Sequence, residues 1–170
     1  MKILGIDPGL ADTGYGVVSS RPGALNALDS GVVKTSADDG MPRRLEVLYD
    51  GIRELLLRHR PDEAVLEQLF FNTNQKTALL VGQACGVIVL ACAHTMVPCR
   101  EYTPLQVKMS VVGNGNASKK QVQFMVSSLL KLGEAPLSMH ASDALAVAIC
   151  HVHNSRIERA MGRGAGRGGY

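Results

Sequence analysis

The sequence predicts an α/β fold, a five-stranded mixed sheet of three antiparallel strands plus parallel strands, flanked by helices. Three observations predict it. Residues 1–35 are apolar runs broken by Gly/Pro/Asp/Asn clusters, as hairpin-linked strands require. From Pro42 the apolar residues recur at helical spacing instead. Short apolar strands then alternate with helices, a pattern that calls for parallel strands joined by crossovers.

Each element has its own warrant. Lys2 to Asp7 and Tyr15 to Ser19 are apolar runs, and Gly31 to Thr35 closes a longer third stretch. Asp7-Pro8-Gly9 and Arg21-Pro22-Gly23 supply the turns between them. Leu45, Leu48, Ile52, Leu55 and Leu56 trace a helix from Pro42 to Arg60, which Pro61 ends. Ala64-Val65-Leu66 is a short strand that runs out at Glu67-Gln68. A helix over Asn74–His94 is apolar nearly all round, which predicts burial on more than one side. Its Gly82 and Gly86 would admit another backbone, so a subunit interface and a deep core position both fit. Val97–Tyr102 reads as a fifth strand, and helices follow at Leu105–Val112, Ser118–Leu132 and His140–Ala160. Residues 1–160 form one domain in this reading. Residues 161–170, an Arg/Gly run, form a disordered tail that cannot pack a core.

Composition narrows the class. The chain has 170 residues, 46% hydrophobic and 19% charged, enough to bury a core without staples. Disorder and fibrous structure are excluded for its bulk. The most apolar stretch, Ala78 to Ala93, falls short of the ~20 residues a membrane span needs, and it contains Gln83. The N-terminus meets Asp7 too early for a signal peptide. Cys85, Cys92, Cys99 and Cys150 lack CxxC spacing and read as free thiols in a reducing cytoplasm. The charge is uneven: residues 1–101 hold 10 Lys/Arg against 12 Asp/Glu, whereas residues 154–170 hold 4 against 1. A basic C-terminal third fits an anionic partner.

Asp7 ends the first strand and Glu67 the fourth. If those strands are neighbours, both carboxylates face the crevice beyond the strand ends, where ligands gather. Each alone is also an ordinary turn or solvent-boundary residue. His140 and Asp143 lie three apart at a helix start, hence on one face. Together the four make an oxygen-rich site for one or two Mg²⁺ or Mn²⁺ ions with room for substrate phosphates. Cys150-His151-Val152-His153 does not make a zinc site, because its ligands crowd one helical turn and lack a second pair. Gly113 to Gln121 holds a capping-box spacing (Ser118, Gln121) with Lys119 and Lys120 in the first turn. Those lysines oppose the helix dipole, so a phosphate seat explains them better than stability does. Lys108 extends the patch. Phe70 follows Glu67 closely and is either core or a stacking surface for an unpaired base.

Gly5-Ile6-Asp7-Pro8-Gly9, Thr13-Gly14-Tyr15-Gly16-Val17, Glu67-Gln68, Gly82-Gln83-Ala84, Gln106-Val107-Lys108 and Ser142-Asp143-Ala144-Leu145-Ala146 together resemble the RuvC Holliday-junction resolvases. The resemblance runs from Lys2 to Val152. It implies an RNase H-like fold and a homodimer that resolves four-way junction DNA by paired symmetric nicks. It also implies dependence on two Mg²⁺ or Mn²⁺ ions, and work beside the RuvA–RuvB branch-migration complex in recombination and DNA repair. Asp7, Glu67 and Asp143 match the family's acidic metal ligands, with Asp7 bridging. His140 stands where many members carry Asp, which tilts the expected preference toward Mn²⁺. Lys108 and Lys119 match basic positions near the scissile strand, and Phe70 matches a junction-contacting aromatic.

Three alternatives remain open on sequence alone. A sugar-kinase-like phosphotransferase shares the Gly-Ile-Asp-x-Gly hairpin but needs two such halves. An inactive DNA-binding module would use the acids only to shape the fold. A nuclease acting on RNA would suit the same acidic site.

Overall fold

The computed structural model describes residues 1–68, 75–133 and 137–162. Its strands are β1 (Lys2–Asp7), β2 (Asp12–Arg21), β3 (Ala24–Lys34), β4 (Glu63–Glu67) and β5 (Cys99–Tyr102). Its helices are α1 (Met41–His59), α2 (Gln75–His94), α3 (Pro104–Val112), α4 (Lys119–Leu130) and α5 (Met139–Ala160). The sheet order is β3-β2-β1-β4-β5. β1, β2 and β3 pair antiparallel, while β4 pairs parallel with both β1 and β5. This is the mixed five-stranded sheet expected. β2 and β3 outrun the hydrophobic stretches that announced them, because backbone pairing continues through polar residues toward their turn.

Alternation along β1 separates two layers. Leu4 and Ile6 face Leu48, Ile52, Leu56, Ala84 and Ile88 of α1 and α2. Ile3 faces the other layer, where α3, α4 and α5 pack around Leu145, Ile149 and Val126. Gly5 and Asp7 share that second face with Ile3. α1 starts with Pro42 in its first turn, and Arg60 ends it in the left-handed conformation at φ 46°, its N–H on the Leu56 carbonyl.

α5 lies directly on the backbone of the first hairpin. Gly5 pairs with Gly16, and Asp7 with Gly14, so three glycines clear one strip of sheet. A Cβ on Gly5 would sit 2.0 Å from the Ala144 carbonyl oxygen, and one on Gly14 2.1 Å from that of His140. On Gly16 it would meet Leu145 at 2.6 Å. Ala141, Ala144 and Ala148 complete the close fit from the helix side, all fully buried or nearly so.

One expectation needs correction. α2 is buried along one stripe only (Ala84, Ile88, Ala91, Cys92), whereas Leu79, Val89 and Leu90 stand 65%, 41% and 47% exposed. Nothing lies within 4 Å of a Cβ built on Gly82 or Gly86. A helix covering one flank of a sheet buries the stripe that faces it. Among the described residues, no further layer covers α2's outer stripe. The helix is therefore apolar all round but packed on one side. α4 ends at Leu130 rather than Leu132, because Lys131 turns left-handed (φ 53°). Of the tail, residues 163–170 lie outside the described residues, as does Phe70.

Candidate active site

The parallel pairing of β1 with β4 sets Ile6 beside Leu66, and each strand ends one residue later. Asp7 and Glu67 therefore stand side by side at the carboxyl end of the sheet, on the face that α5 covers. Ser138 caps α5 by accepting the Ala141 N–H. The first turns of that helix carry His140 and Asp143 over the two strand ends. His140 Nδ1 lies 2.8 Å from Asp7 Oδ2, the imidazole N–H donating. Lys119 Nζ lies 3.4 Å from Asp143 Oδ2. Behind Asp7, the Thr13 hydroxyl donates to the Gly9 carbonyl and fixes the β1–β2 turn.

The electrostatics register the crowding. Burial, the largest cause, and then the charges of Asp7 and Asp143 push the Glu67 carboxyl up to about 7. Burial and Asp143 also raise Asp7, against the pull of its His140 hydrogen bond. Three carboxylates thus feel one another at a half-buried sheet edge. Such a group gains most from added positive charge. A cleft of about 250 Å³ opens from it, lined by Glu67, Lys108, Lys119 and Asp143 on the charged side. Val107, Val122 and Ala146 form its apolar wall.

The structure brings Asp7, Glu67, His140, Asp143, Lys108 and Lys119 to one end of the sheet. Lys120 does not enter the cleft, since it is exposed on the outer side of α4. The α4 N-terminus is also less open than expected. The capping box is complete, with Gln121 N–H on Ser118 Oγ at 3.3 Å and Ser118 N–H on Gln121 Oε1 at 2.8 Å. Its lysine ammonium groups, more than free backbone amides, make the cationic surface.

The donor set fits a hard or borderline divalent cation: three carboxylates and an imidazole, clustered and short of positive charge. Among the described residues, no three His, Cys, Asp or Glu groups converge tightly enough to hold an ion as they stand. The pairing explains this: His140 is turned onto Asp7 and Lys119 onto Asp143. The Tyr102 O–H reaches His151 Nδ1 at 2.9 Å, and His153 Nδ1 engages Ser110. These side chains serve helix packing.

Sequence reasoning quoted Gly5, Gly14 and Gly16 as motif without giving them a task. The register provides one, because cross-strand glycines let α5 descend far enough to place Asp143 above Glu67.

Comparison with known proteins identifies the family and the fold. The family model described as "Crossover junction endodeoxyribonuclease RuvC" matches residues 3–151. The protein of that name from Clostridioides difficile is 50% identical over 161 residues, 95% of each chain. Its counterpart from Moorella thermoacetica is 55% identical over 151 residues, 89% of this chain and 90% of that one. A solved structure of Thermus thermophilus RuvC with a Holliday junction superposes with a TM-score of 0.88 at 36% identity, covering 96% of this chain and 97% of that one. The yeast mitochondrial resolvase Ydc2 shares the fold at a TM-score of 0.71 and 13% identity, covering 95% of this chain and 81% of that one. The chain belongs to the RuvC family of crossover junction endodeoxyribonucleases.

Proposed function

We propose that this protein resolves four-way DNA junctions by paired symmetric nicks, through two-metal-ion phosphodiester hydrolysis, in recombination and DNA repair. One observation carries the reading. Asp7 and Glu67 end adjacent parallel strands, Asp143 is set above them, and Lys108 and Lys119 line the same cleft.

Asp7, Glu67, His140 and Asp143 would hold Mg²⁺ or Mn²⁺, two ions per site. Bound there, the metal would supply an activated water and charge neutralisation at the leaving oxygen. The residues of the chain do the rest. Burial of Asp7 and Glu67 and their mutual repulsion create the demand for cations. Without metal, His140 Nδ1–H holds one oxygen of Asp7. Lys119 and Lys108 set positive charge where the pentacovalent phosphate would develop its negative charge. Lys120 and Phe70 are assigned to the flanking DNA.

The outer face of α2 supports a homodimer. Leu79, Val89 and Leu90 surround Gly82 and Gly86, so two such helices can cross closely. A two-fold pair of sites would match the near-symmetry of a four-way junction. Among the described residues no helix is long and apolar enough to cross a membrane. We place the protein in the cytoplasm, working beside the RuvA–RuvB branch-migration complex.

Mapping both nicks on an end-labelled junction tests the reading. Cuts at symmetric positions on two opposed strands support it. Equal cutting of linear duplex, or of an RNA duplex, would overturn it.

A further inference from the structure

Phe124 is 71% exposed, an unusual position for a phenylalanine in a chain that has three. It lies on α4 opposite Val122, Val126 and Leu130, which anchor that helix to the core. Lys120 precedes it by four residues and so stands beside it on the same face. Lys131, exposed at the end of the helix, extends the line. α4 contains no Asp or Glu at all. The face is therefore basic with one aromatic, and no carboxylate on the helix offsets it.

The face adjoins the site already described but is turned away from it around the helix. Lys119, the first residue of α4, pairs with Asp143 and lines the cleft with Glu67. Phe124 lies five residues on, about 7–8 Å further along the helix axis. A strand with a phosphate at Lys119 would reach Phe124 by turning round the start of α4 at Lys120, one residue on. A cationic track with an interposed aromatic is the construction that binds single-stranded or unstacked nucleic acid, phosphates on the lysines and a base on the ring. A protein partner would want acidic complement for the lysines but has no use for an isolated ring without further apolar surface. The exposed neighbours of Phe124 on this helix, Lys120, Gln121 and Ser128, are polar.

We propose that the outer face of α4 is a nucleic-acid track in which Phe124 stacks on an unstacked base of DNA that has left the cleft, with Lys120 and Lys131 on flanking phosphates. The proposal deepens the junction-nuclease reading and rests on it.

The chain has no tryptophan, so Phe124→Trp installs a single reporter. Junction affinity is measured for wild type, Phe124→Ala, Phe124→Leu, Phe124→Tyr and Phe124→Trp, each checked for unchanged thermal unfolding. Emission of the Phe124→Trp protein is followed as junction is added. Phe124→Ala should bind about tenfold more weakly, near the low end of one base–aromatic stack. Phe124→Tyr should bind as wild type, Phe124→Leu should stay weak, and the Trp emission should be quenched by junction. Wild-type affinity in Phe124→Ala or Phe124→Leu, or unquenched emission in a bound complex, overturns the proposal alone. Failure of the wild type itself to bind junction overturns the underlying function as well.

Discussion

His140 Nδ1 and Asp7 Oδ2 stand 2.8 Å apart although 133 residues separate them in the chain. The contact joins the first strand to the last helix. It exists because Gly14, beside Asp7 in the register, leaves no Cβ between the hairpin and the first turn of α5. Packing and the charged site are thus one feature: the strip of glycines that seats the helix also brings its His140 and Asp143 side chains to the strand ends.

That relationship predicts the behaviour of Gly14→Ala. The new Cβ would fall 2.1 Å from the His140 carbonyl oxygen, so the start of α5 must lift. The overpacking should destabilise the fold by about 2 kcal/mol, read from thermal or denaturant unfolding. Nicking should fall far more than folding, since His140 and Asp143 move together. Full nicking by a folded Gly14→Ala protein would contradict this account of the seat.

His140 itself should set the metal preference. An imidazole suits Mn²⁺ better than Mg²⁺, and carboxylates suit both. His140→Asp should therefore raise Mg²⁺-supported nicking relative to Mn²⁺-supported nicking, while His140→Ala should lower both by about tenfold or more. An unchanged metal ratio in His140→Asp would remove His140 from the ligand set.

Lys119 is expected to bear on chemistry more than on binding. It is largely exposed and pairs with Asp143 at 3.4 Å, so Lys119→Ala should leave stability nearly unchanged. The rate of nicking at saturating enzyme should drop by about 10²-fold if its charge meets the transition state. A change confined to affinity would reassign it to flanking phosphate contact.

A charged substitution on the uncovered stripe of α2 tests the dimer. Val89→Arg should leave folding intact, because Val89 is 41% exposed. Sedimentation should report a dimer for wild type and a monomer for the variant, with paired nicks giving way to single ones. A wild-type monomer would refute the interface.

His151 carries a pH dependence independent of the site. Its ring is 1% exposed, with Nδ1 on Tyr102 and Nε2 3.4 Å from Glu63 Oε1. The Nε2–Glu63 contact is too poorly aligned to count as a hydrogen bond. Burial accordingly dominates and holds the histidine below its ordinary 6.5. The unfolded chain then binds the extra proton as pH falls through 6.5. The contribution is whole above that pH and is lost below it, by up to about 1.4 kcal/mol per pH unit. His151→Gln should flatten this acid limb in unfolding experiments at several pH values.

Much of this was legible in the sequence, and the reasons differ by element. Asp7 and Glu67 could be found because apolar strands stop abruptly at them. Their adjacency followed only once β4 was known to pair with β1, a long-range choice that no local pattern encodes. Helical spacing located α1, α4 and α5 to within a few residues, since caps and Pro61 mark their ends. α2 misled, because hydrophobicity all round predicts burial without saying whether the cover comes from the same chain. The glycines at 5, 14 and 16 were visible as letters, but their purpose appears only when the hairpin register sets them under α5. Phe124 escaped notice because its position in the helical repeat is the outward one, where an aromatic is unexpected.

The central claim is that the carboxylates gathered at the sheet edge cut junction DNA. The most direct test is strand-specific nicking of a synthetic four-way junction beside a matched linear duplex, with Mg²⁺ and Mn²⁺ separately, for wild type and Asp7→Asn. The account predicts paired nicks in the junction alone, abolished in Asp7→Asn while junction binding persists. Undiminished nicking by Asp7→Asn, or binding without cleavage by the wild type under either metal, would contradict it.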